Sequence, residues 1–202
     1  MVVLNRIYTR TGDDGSTALG TGERRPKYDL RIAAYGAVDE VNAAMGMARL
    51  STRDDSRLDG MLARIQNDLF DLGADLCTPE SDPHPNPPPQ AGEGRKGERE
   101  RLRIIDSQVT RLERELDALN EGLAPLNSFV LPGGTDAAAH LHLARTICRR
   151  AERMMVELAT RETVSPAAIK FANRLSDFLF VAARYANHKA GGDVLWVPGD
   201  NR

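Results

Sequence analysis

The sequence predicts an all-α protein, a bundle of antiparallel helices in a single domain. Five long segments carry apolar residues at the spacing of an amphipathic helix, and most connections between them are short. Alanine, leucine and arginine are plentiful, whereas aromatic residues make up only 5% of the 202 residues. Little of the chain alternates between apolar and polar residues as a strand would. A helix bundle is therefore the architecture that the sequence favours.

The first three helices are predicted over residues 30–50, 56–77 and 99–119. Each presents one apolar stripe, because residues three and four apart lie on the same face of a helix. In order, the stripes contain Ile32, Tyr35, Val38, Val41 and Met45; Leu58, Leu62, Ile65, Leu69 and Leu72; and Leu102, Ile105, Val109, Leu112 and Leu116. These stripes are expected to face the core of the bundle.

The last two helices have recognisable starts. The fourth, residues 136–161, follows a Gly-Gly turn with Thr135 as its N-cap, a position that threonine favours. The fifth, residues 165–189, has Ser165 as its N-cap and Pro166 at the first helical position. Proline is well tolerated there because the N–H that it lacks would have no helical partner. Two glycines just beyond residue 190 are expected to end this helix.

A proline- and glycine-rich segment, residues 78–100, separates the second helix from the third. It has almost nothing to bury, so it is predicted to be a mobile loop rather than a structured insert. A polyproline II recognition site is the alternative. The sequence shows no internal repeat, and residues 1–202 are predicted to form one domain.

Composition narrows the class of protein. The formal net charge is −2, which gives no large field of either sign. No stretch approaches the roughly 20 apolar residues of a membrane helix, and the N-terminus lacks the apolar core of a signal peptide. Cys77 and Cys148 lie in apolar helical segments without CxxC spacing, so reduced thiols are favoured over a disulfide. We expect a cytoplasmic protein with neither a membrane nor a nucleic acid as partner.

The segment before the first helix, IYTRTGDDGSTALGTGERRPK, has the chemistry of an anion site. Gly12 and Gly15 permit positive φ angles, so successive N–H groups can converge on an anion. Hydroxyl and basic side chains accompany them: Thr9, Thr11, Ser16 and Thr17 with Arg10, Arg24, Arg25 and Lys27. A polyphosphate fits this pattern, and an ordinary polar arm with a turn is the alternative. The segment is neither a Walker A loop nor a Rossmann fingerprint.

A second basic cluster lies on the fourth helix, in ARTICRRAER. Arg145, Arg149 and Glu152 share one face, and two guanidiniums one turn apart can clamp phosphate oxygens. Arg150 and Arg153 lie to the side of that face. The alternative is a solvated charged surface. Against it, apolar neighbours crowd the same helix, which places some arginines at the edge of the core or at an interface.

Three single residues extend this pattern. Asp39 lies among apolar residues of the first helix and is expected to be partly buried, which would require a cation or several hydrogen-bond donors. Asn173 on the fifth helix fits either a ligand contact or an interhelical hydrogen bond. Phe129, in FVLPGG, fits a plug at the end of the bundle as well as a ligand site. His140 and His142 are two residues apart and do not face one another, which argues against a zinc or iron site.

Six motifs together resemble the PduO-type ATP:cob(I)alamin adenosyltransferase family. They are YTRTGDDGST, GERRPK, AAYGAVDEVNAAMG, FVLPGG, ARTICRRAER and NRLSDFLFVAARYAN, and they follow the family order over residues 8–187. The resemblance implies a ferritin-like five-helix bundle with an extended nucleotide-binding arm, assembled as a homotrimer with ATP between subunits. It implies transfer of the 5′-deoxyadenosyl group of ATP to the cobalt of cob(I)alamin, giving adenosylcobalamin and triphosphate. A cobalamin reductase and an adenosylcobalamin-dependent mutase are the implied partners.

The resemblance also assigns roles to residues of this sequence. The implied catalytic set is Arg145, Arg149, Asp39 and Phe129. The implied ATP contacts are Thr9, Arg10, Thr11, Gly12, Gly15, Thr17, Ala18, Lys27, Arg149, Arg150, Glu152, Arg153 and Asn173. Arg145 is implied to pair with Asp39 across the subunit interface, and Phe129 to lie beneath the corrin. Mg²⁺ is implied to bridge phosphate oxygens, with no protein side chain as an assured ligand. Arginine at position 10 departs from the lysine common in relatives, which changes the geometry of a phosphate contact.

Two other classes of function remain open at this level. A nucleotide-binding bundle without catalysis, such as a sensor or a cofactor chaperone, accounts for an ATP site. A nucleotide-binding bundle without catalysis gives no reason for an apolar residue at the corrin position. Phe129 therefore argues against this alternative. A purely structural interaction bundle predicts an arm that stays disordered with or without nucleotide.

Overall fold

The computed structural model describes residues 8–79 and 102–202, and it has the five predicted helices. They are α1 (Leu30–Leu50), α2 (Ser56–Cys77), α3 (Asp106–Asn120), α4 (Asp136–Ala159) and α5 (Pro166–His188). Among the described residues, no helix has the length and apolar character needed to span a bilayer. Nearly all of the predicted loop over residues 78–100 lies outside the described residues, and its mobility stays a prediction.

The helices pack side by side in the order α2, α1, α4, α5, α3. One hydrophobic core runs between them, with Phe171, Phe178 and Met45 among its fully buried side chains. Polar contacts join α2 to α3. Asp68 of α2 accepts a hydrogen bond from Gln108 Nε2 at 2.9 Å. The first and last helices of this order, α2 and α3, are therefore linked by side-chain hydrogen bonds.

The third helix begins later than the predicted residue 99. The residues just before it are extended because they bind Asp75 near the end of α2. Arg103 Nη1 donates to the Asp75 carboxylate at 2.7 Å, and the Ile104 N–H donates to its other oxygen at 3.0 Å. These contacts bury Ile104 and leave Ile105, which was expected in the apolar stripe, exposed. A contact distant in sequence therefore overrides the helical pattern here.

The segment before α1, called the N-terminal arm below, contains two short strands that the sequence did not predict. β1 (Ser16–Ala18) and β2 (Arg24–Pro26) pair antiparallel, with Thr17 opposite Arg25. Three residues are too few to show an alternating pattern. The Gly20 N–H donates to the Cys77 carbonyl at 2.8 Å, so this hairpin sits on the end of α2.

Both cysteines are free thiols, as predicted. Cys148 is buried on α4, and burial raises the pKa of its thiol to about 12. It therefore stays protonated and behaves as a small apolar residue.

The segment after α5 folds back over the turn that precedes α4. The Trp196 N–H donates to the Phe129 carbonyl at 2.8 Å, and Ser128 Oγ donates to the Trp196 carbonyl at 2.6 Å. A nearly buried ion pair between Arg184 and Asp193, at 2.9 Å, fixes the start of this segment. The C-terminal residues thus become part of the surface around Phe129.

Candidate functional site

The N-terminal arm forms a tight loop that is closed by a lysine. Arg10 and Gly15 have positive φ angles, 62° and 81°, and such an angle is uncommon outside glycine. Lys27 Nζ donates to the Gly12 carbonyl at 2.8 Å, and the Lys27 N–H donates to the Gly15 carbonyl at 2.9 Å. A methyl group on Gly12 would lie 3.2 Å from Lys27 Nζ, which is a tight contact. The absence of a side chain at Gly12 therefore lets the ammonium group approach the loop backbone.

The other ATP-binding residues predicted on the arm lie in the same loop or in β1. The Thr9 and Thr11 hydroxyl groups share a hydrogen bond of 2.8 Å on the exposed side of the loop. Thr17 and Ala18 belong to β1, where Thr17 is half-buried and Ala18 is exposed. The loop therefore presents hydroxyl groups and one ammonium group on an accessible surface.

Two basic residues of the arm are occupied by contacts within the chain. Arg25 pairs at 2.7 Å with Glu162, which follows α4, and hydrogen bonding to that carboxylate raises the pKa of Arg25. Arg24 pairs with Asp14 at 3.3 Å and donates to the Thr11 carbonyl. These contacts anchor the arm to the bundle and shape its loop, so both arginines have a structural role.

The face of α4 presents two arginines that line a cavity with carboxylates of α3 and α5 but form no ion pair among the described residues. Arg145 is half-buried and Arg149 is exposed, and within residues 8–79 and 102–202 neither forms an ion pair. Arg145 Nε is buried and lacks a hydrogen-bond partner in those ranges. Burial lowers the pKa of Arg145, and the like charge of Arg149 lowers it further. Two neighbouring guanidiniums without ion-pair partners in the described chain are suited to bind an anion.

The remaining predicted residues of α4 and α5 lie around this cationic face. Asn173 Nδ2 donates to Glu152 Oε1 at 2.8 Å, so the interhelical hydrogen bond considered for Asn173 is present. Arg150 pairs with Glu40 of α1. Arg153 donates to the main-chain carbonyl one turn earlier, at 3.1 Å. Arg150 and Arg153 thus already have partners, unlike the two arginines above.

Asp39 is exposed in the single chain, and the expectation that it is partly buried is wrong there. Its neighbour Val38 faces the core, and one residue further along a helix the side chain points about 100° away. No ion pair with Arg145 forms within the described part of the chain. A pairing between subunits stays a prediction.

Two adjoining cavities meet at Arg145 and Phe180. The polar cavity, of about 550 Å³, lies between α3, α4 and α5 and is also lined by Arg149 and Arg174. The apolar cavity, of about 770 Å³, is also lined by Phe129 and by residues of the C-terminal segment. The Arg145 guanidinium lies 5.9 Å from the centre of the Phe180 ring. A charged site and an apolar site therefore lie side by side.

Phe129 lies at the mouth of the apolar cavity and is 76% exposed, so it does not plug the end of the bundle. Its ring meets the Trp196 ring edge to face, with the ring centres 5.9 Å apart. Two exposed aromatic rings beside a cavity suit a large ligand with an apolar face.

Three residues of this site were not predicted from the sequence: Arg174, Phe180 and Trp196. Phe180 lies two turns after Asn173 on the same face of α5, a spacing that could have indicated it. Trp196 is the one tryptophan of the chain, and its isolation in a sequence poor in aromatic residues was also a signal. Its position beside Phe129 depends on the fold-back of the C-terminal segment, which no local pattern predicts.

Comparisons with known proteins agree with this geometry. A family model described as cobalamin adenosyltransferase matches residues 7–186. A corrinoid adenosyltransferase from Mycobacterium tuberculosis (strain ATCC 25618 / H37Rv) is 48% identical over 203 aligned residues, which cover 100% of this chain and 97% of that protein. A corrinoid adenosyltransferase from Bacillus subtilis (strain 168) is 37% identical over 193 residues, which cover 94% of this chain and 91% of that protein.

A solved structure has the same fold. It is a variant of a PduO-type ATP:corrinoid adenosyltransferase from Lactobacillus reuteri, complexed with cobalamin and ATP. It is 37% identical, with a TM-score of 0.82, and the match covers 96% of this chain and 97% of that one. Sequence and structure therefore lead to one conclusion: this chain belongs to the cobalamin adenosyltransferase family.

Proposed function

We propose that each active site of this protein is built from the N-terminal arm of one subunit and the α4 face of its neighbour. The reaction is the ATP-dependent adenosylation of cobalamin. The 5′-deoxyadenosyl group of ATP is transferred to the cobalt of cob(I)alamin, and triphosphate leaves. The observation that carries the proposal is the pair of arginines on the face of α4, Arg145 and Arg149, which form no ion pair among the described residues and lie beside an apolar cavity.

The reaction requires that the two substrates are correctly positioned, and it does not require a protein base. Cob(I)alamin is a strong nucleophile, and its cobalt attacks C5′ of ATP directly. The protein has to hold C5′ in line with cobalt and to stabilise the charge that develops on the triphosphate. Arg149 is suited to the second task, because it is exposed and its guanidinium is not committed to a carboxylate of the described chain.

The arm is proposed to supply donors to the phosphates. The main chain around Gly12 and Gly15, the hydroxyl groups of Thr9 and Thr11 and the ammonium group of Lys27 lie in one loop. The further contacts proposed for ATP are Arg10, Thr17, Ala18, Arg150, Glu152, Arg153 and Asn173. In the part of the chain that the structure describes, no group of three or more His, Cys, Asp or Glu side chains could hold a metal ion. Mg²⁺ is proposed to bind mainly through phosphate oxygens of ATP.

A homotrimer is part of the proposal. Arg145 is half-buried with an unpartnered Nε, and Asp39 is exposed with no ion-pair partner within residues 8–79 and 102–202. A pairing between these two residues across the interface would give each of them a counter-charge. Such a pair would also hold Arg145 in place between the two cavities.

Phe129 is proposed to lie beneath the corrin. Its exposed ring at the mouth of the apolar cavity offers the cobalt no donor atom, so a lower axial ligand would be kept away. Four-coordinate Co(II) is easier to reduce to Co(I), which gives an apolar residue at this position a mechanistic purpose. The nucleotide-binding alternative without catalysis offers no such purpose.

The cellular setting follows from the same chemistry. Co(I) has to be supplied by a reductant, so a cobalamin reductase is a proposed partner. The product is a cofactor, so an adenosylcobalamin-dependent mutase is a proposed recipient. A cytoplasmic location is proposed with them, and two free thiols are consistent with it.

The test is to mix the purified protein with ATP, Mg²⁺ and chemically reduced cob(I)alamin and to follow the visible spectrum. Conversion to the adenosylcobalamin spectrum that requires both protein and ATP is the expected result. If no conversion occurs while calorimetry shows that ATP binds, the catalytic proposal gives way to a nucleotide-binding carrier.

A further inference from the structure

The amide of Asn173 has a charged partner at each end. Its nitrogen donates to Glu152 Oε1 at 2.8 Å, and its oxygen accepts from Arg174 Nη1 at 3.3 Å. An asparagine amide can turn over with little change of shape, which exchanges its donor and its acceptor. Turned over, it would point its NH₂ group at a guanidinium and its oxygen at a carboxylate. The two charges therefore favour one orientation of this amide.

Arg174 is itself held from another helix. Its Nε donates to Glu113 Oε1 of α3 at 2.8 Å, while Asp177 on its own helix lies at 3.7 Å. The guanidinium is planar with donors in a fixed fork, so one arginine can bind Glu113 through Nε and Asn173 through Nη1. A continuous line of hydrogen bonds thus runs from Glu113 on α3 through α5 to Glu152 on α4.

The surroundings of Arg174 distinguish it from Arg149, although both line the polar cavity. Arg174 has two carboxylates within ion-pair distance. Arg149 has none in the described ranges. The charge of Arg174 is therefore compensated within the chain, so it is poorly suited to bind phosphate and well suited to orient a neighbouring side chain.

We propose that Arg174 and Glu113 are positioning residues that set the orientation of Asn173 for ATP. This inference rests on the proposed function, because it takes Asn173 and Glu152 as ATP contacts. With its oxygen bound to Arg174 and one N–H bound to Glu152, the amide keeps one N–H and one lone pair for the nucleotide. Their directions are set from α3, a helix to which no ATP contact is assigned.

The test compares steady-state kinetics and ATP calorimetry of the wild type with Arg174→Gln, Arg174→Lys and Glu113→Ala. We expect KM and Kd for ATP to rise roughly three- to tenfold, with kcat and KM for cob(I)alamin nearly unchanged, because a contact present throughout the reaction is weakened. Lysine should not rescue, since a single ammonium group does not reproduce the fork. Glu113→Ala interrupts the same line of hydrogen bonds from α3. It tests the proposal independently if the arginine variants fold poorly.

Arg64→Gln is the matched control. Arg64 Nε donates to Glu115 Oε1 at 3.1 Å, so this pair joins α2 to α3. Neither residue of the pair contacts a residue of the site. Its KM for ATP should equal that of the wild type. An equal rise in KM in Arg64→Gln would mean that loosening α3 is the cause, and the inference would be wrong.

A further variant separates the inference from the proposed function. If Asn173→Ala raises KM for ATP while the Arg174 and Glu113 variants do not, the positioning role is wrong and the ATP site stands. If calorimetry detects no ATP binding to the wild type, the proposed function and the inference that rests on it both fail.

Discussion

Arg149 offers the sharpest prediction at the scale of a single residue. Its side chain is exposed, and no ion pair engages it within the described chain. Arg149→Ala should lower kcat by about 10²- to 10³-fold, because the donor that Arg149 is proposed to provide to the leaving triphosphate is lost. The melting temperature should hardly change, since the exposed side chain contributes little to folding. Formation of adenosylcobalamin, followed by its visible spectrum, measures the rate.

Arg161→Ala is the control for that prediction. Arg161 is also an exposed arginine, and its pair with Glu157 one turn earlier is a surface pair. Such pairs contribute little, so both rate and stability should match the wild type. If Arg149→Ala turns over at the wild-type rate, Arg149 does not serve the triphosphate.

His142 gives a prediction about stability and pH. It is buried on α4, and neither ring nitrogen has a hydrogen-bond partner among the described residues. Burial lowers the pKa of His142 below its ordinary value of 6.5; the charge of Arg145 lowers it further, and that of Asp193 opposes the shift. Below about pH 6.5 the unfolded chain therefore binds more protons than the folded chain. The stability present above that pH is lost as the pH falls toward the folded pKa.

His142→Leu should flatten this pH dependence. The measurement is the melting temperature at several values between about pH 7.5 and about pH 5.5, the window in which an unfolded histidine becomes protonated. The wild type should lose more stability across this window than the variant. His140→Asn, on the same helix, is the control and should keep the wild-type slope. If His142→Leu retains the full slope, another group causes it.

At the scale of elements, the turn before α4 is fixed by one buried side chain of α5. The Thr135 N–H donates to Asn187 Oδ1 at 2.9 Å, and Asn187 Nδ2 donates to the Gly133 carbonyl at 3.0 Å. Gly134 has a φ of 100°, and a Cβ atom there would overlap the Asn187 amide. The contacts of Asn187 with this turn therefore determine where the exposed ring of Phe129 lies relative to the bundle.

Gly134→Ala should therefore disturb both the stability of the protein and the proposed corrin site. We expect a loss of about 1–3 kcal/mol in the free energy of unfolding, from the unfavourable φ angle and the overlap. KM for cob(I)alamin should rise, because the turn carries Phe129, which is proposed to lie beneath the corrin. Gly133→Ala is a close control, since a Cβ atom there meets nothing within 4 Å. Denaturant unfolding and steady-state kinetics measure the two effects. If both variants have the same stability and the same KM, the proposed role of Asn187 in fixing the turn is wrong.

Elements whose pattern is local were predictable, and elements fixed by distant contacts were not. The helices α1 and α2 have the predicted bounds, because their apolar periodicity and their packing agree. The start of α3 moved because Asp75 binds the residues before it. For the site, the sequence indicated the arm and the α4 arginines by residue type. It did not indicate Arg174 or Trp196, whose roles depend on neighbours from other elements.

At the scale of the whole molecule, the two parts of the proposed ATP site are separate within one chain. The arm is anchored beyond the C-terminal end of α4 by Arg25 and Glu162. Arg149 lies ten residues before the last residue of α4, a distance of about 15 Å along the helix. Within residues 8–79 and 102–202, no hydrogen bond or ion pair joins the arm to Arg145 or Arg149. A site completed by a neighbouring subunit accounts for this separation.

Complementation between two inactive variants tests that arrangement. Lys27→Ala removes the ammonium group of the arm, and Arg149→Ala removes the guanidinium of α4. In the proposed cyclic trimer, when both variants are present, one of the three neighbouring pairs combines an intact arm with an intact α4 face, so roughly one third of wild-type activity should return. The two variants are co-expressed with different affinity tags, and only mixed trimers pass both purification steps. Each variant alone, and the two mixed after purification without subunit exchange, should stay inactive. Mixed trimers no more active than their parents would place the arm and the α4 arginines of one subunit in the same site.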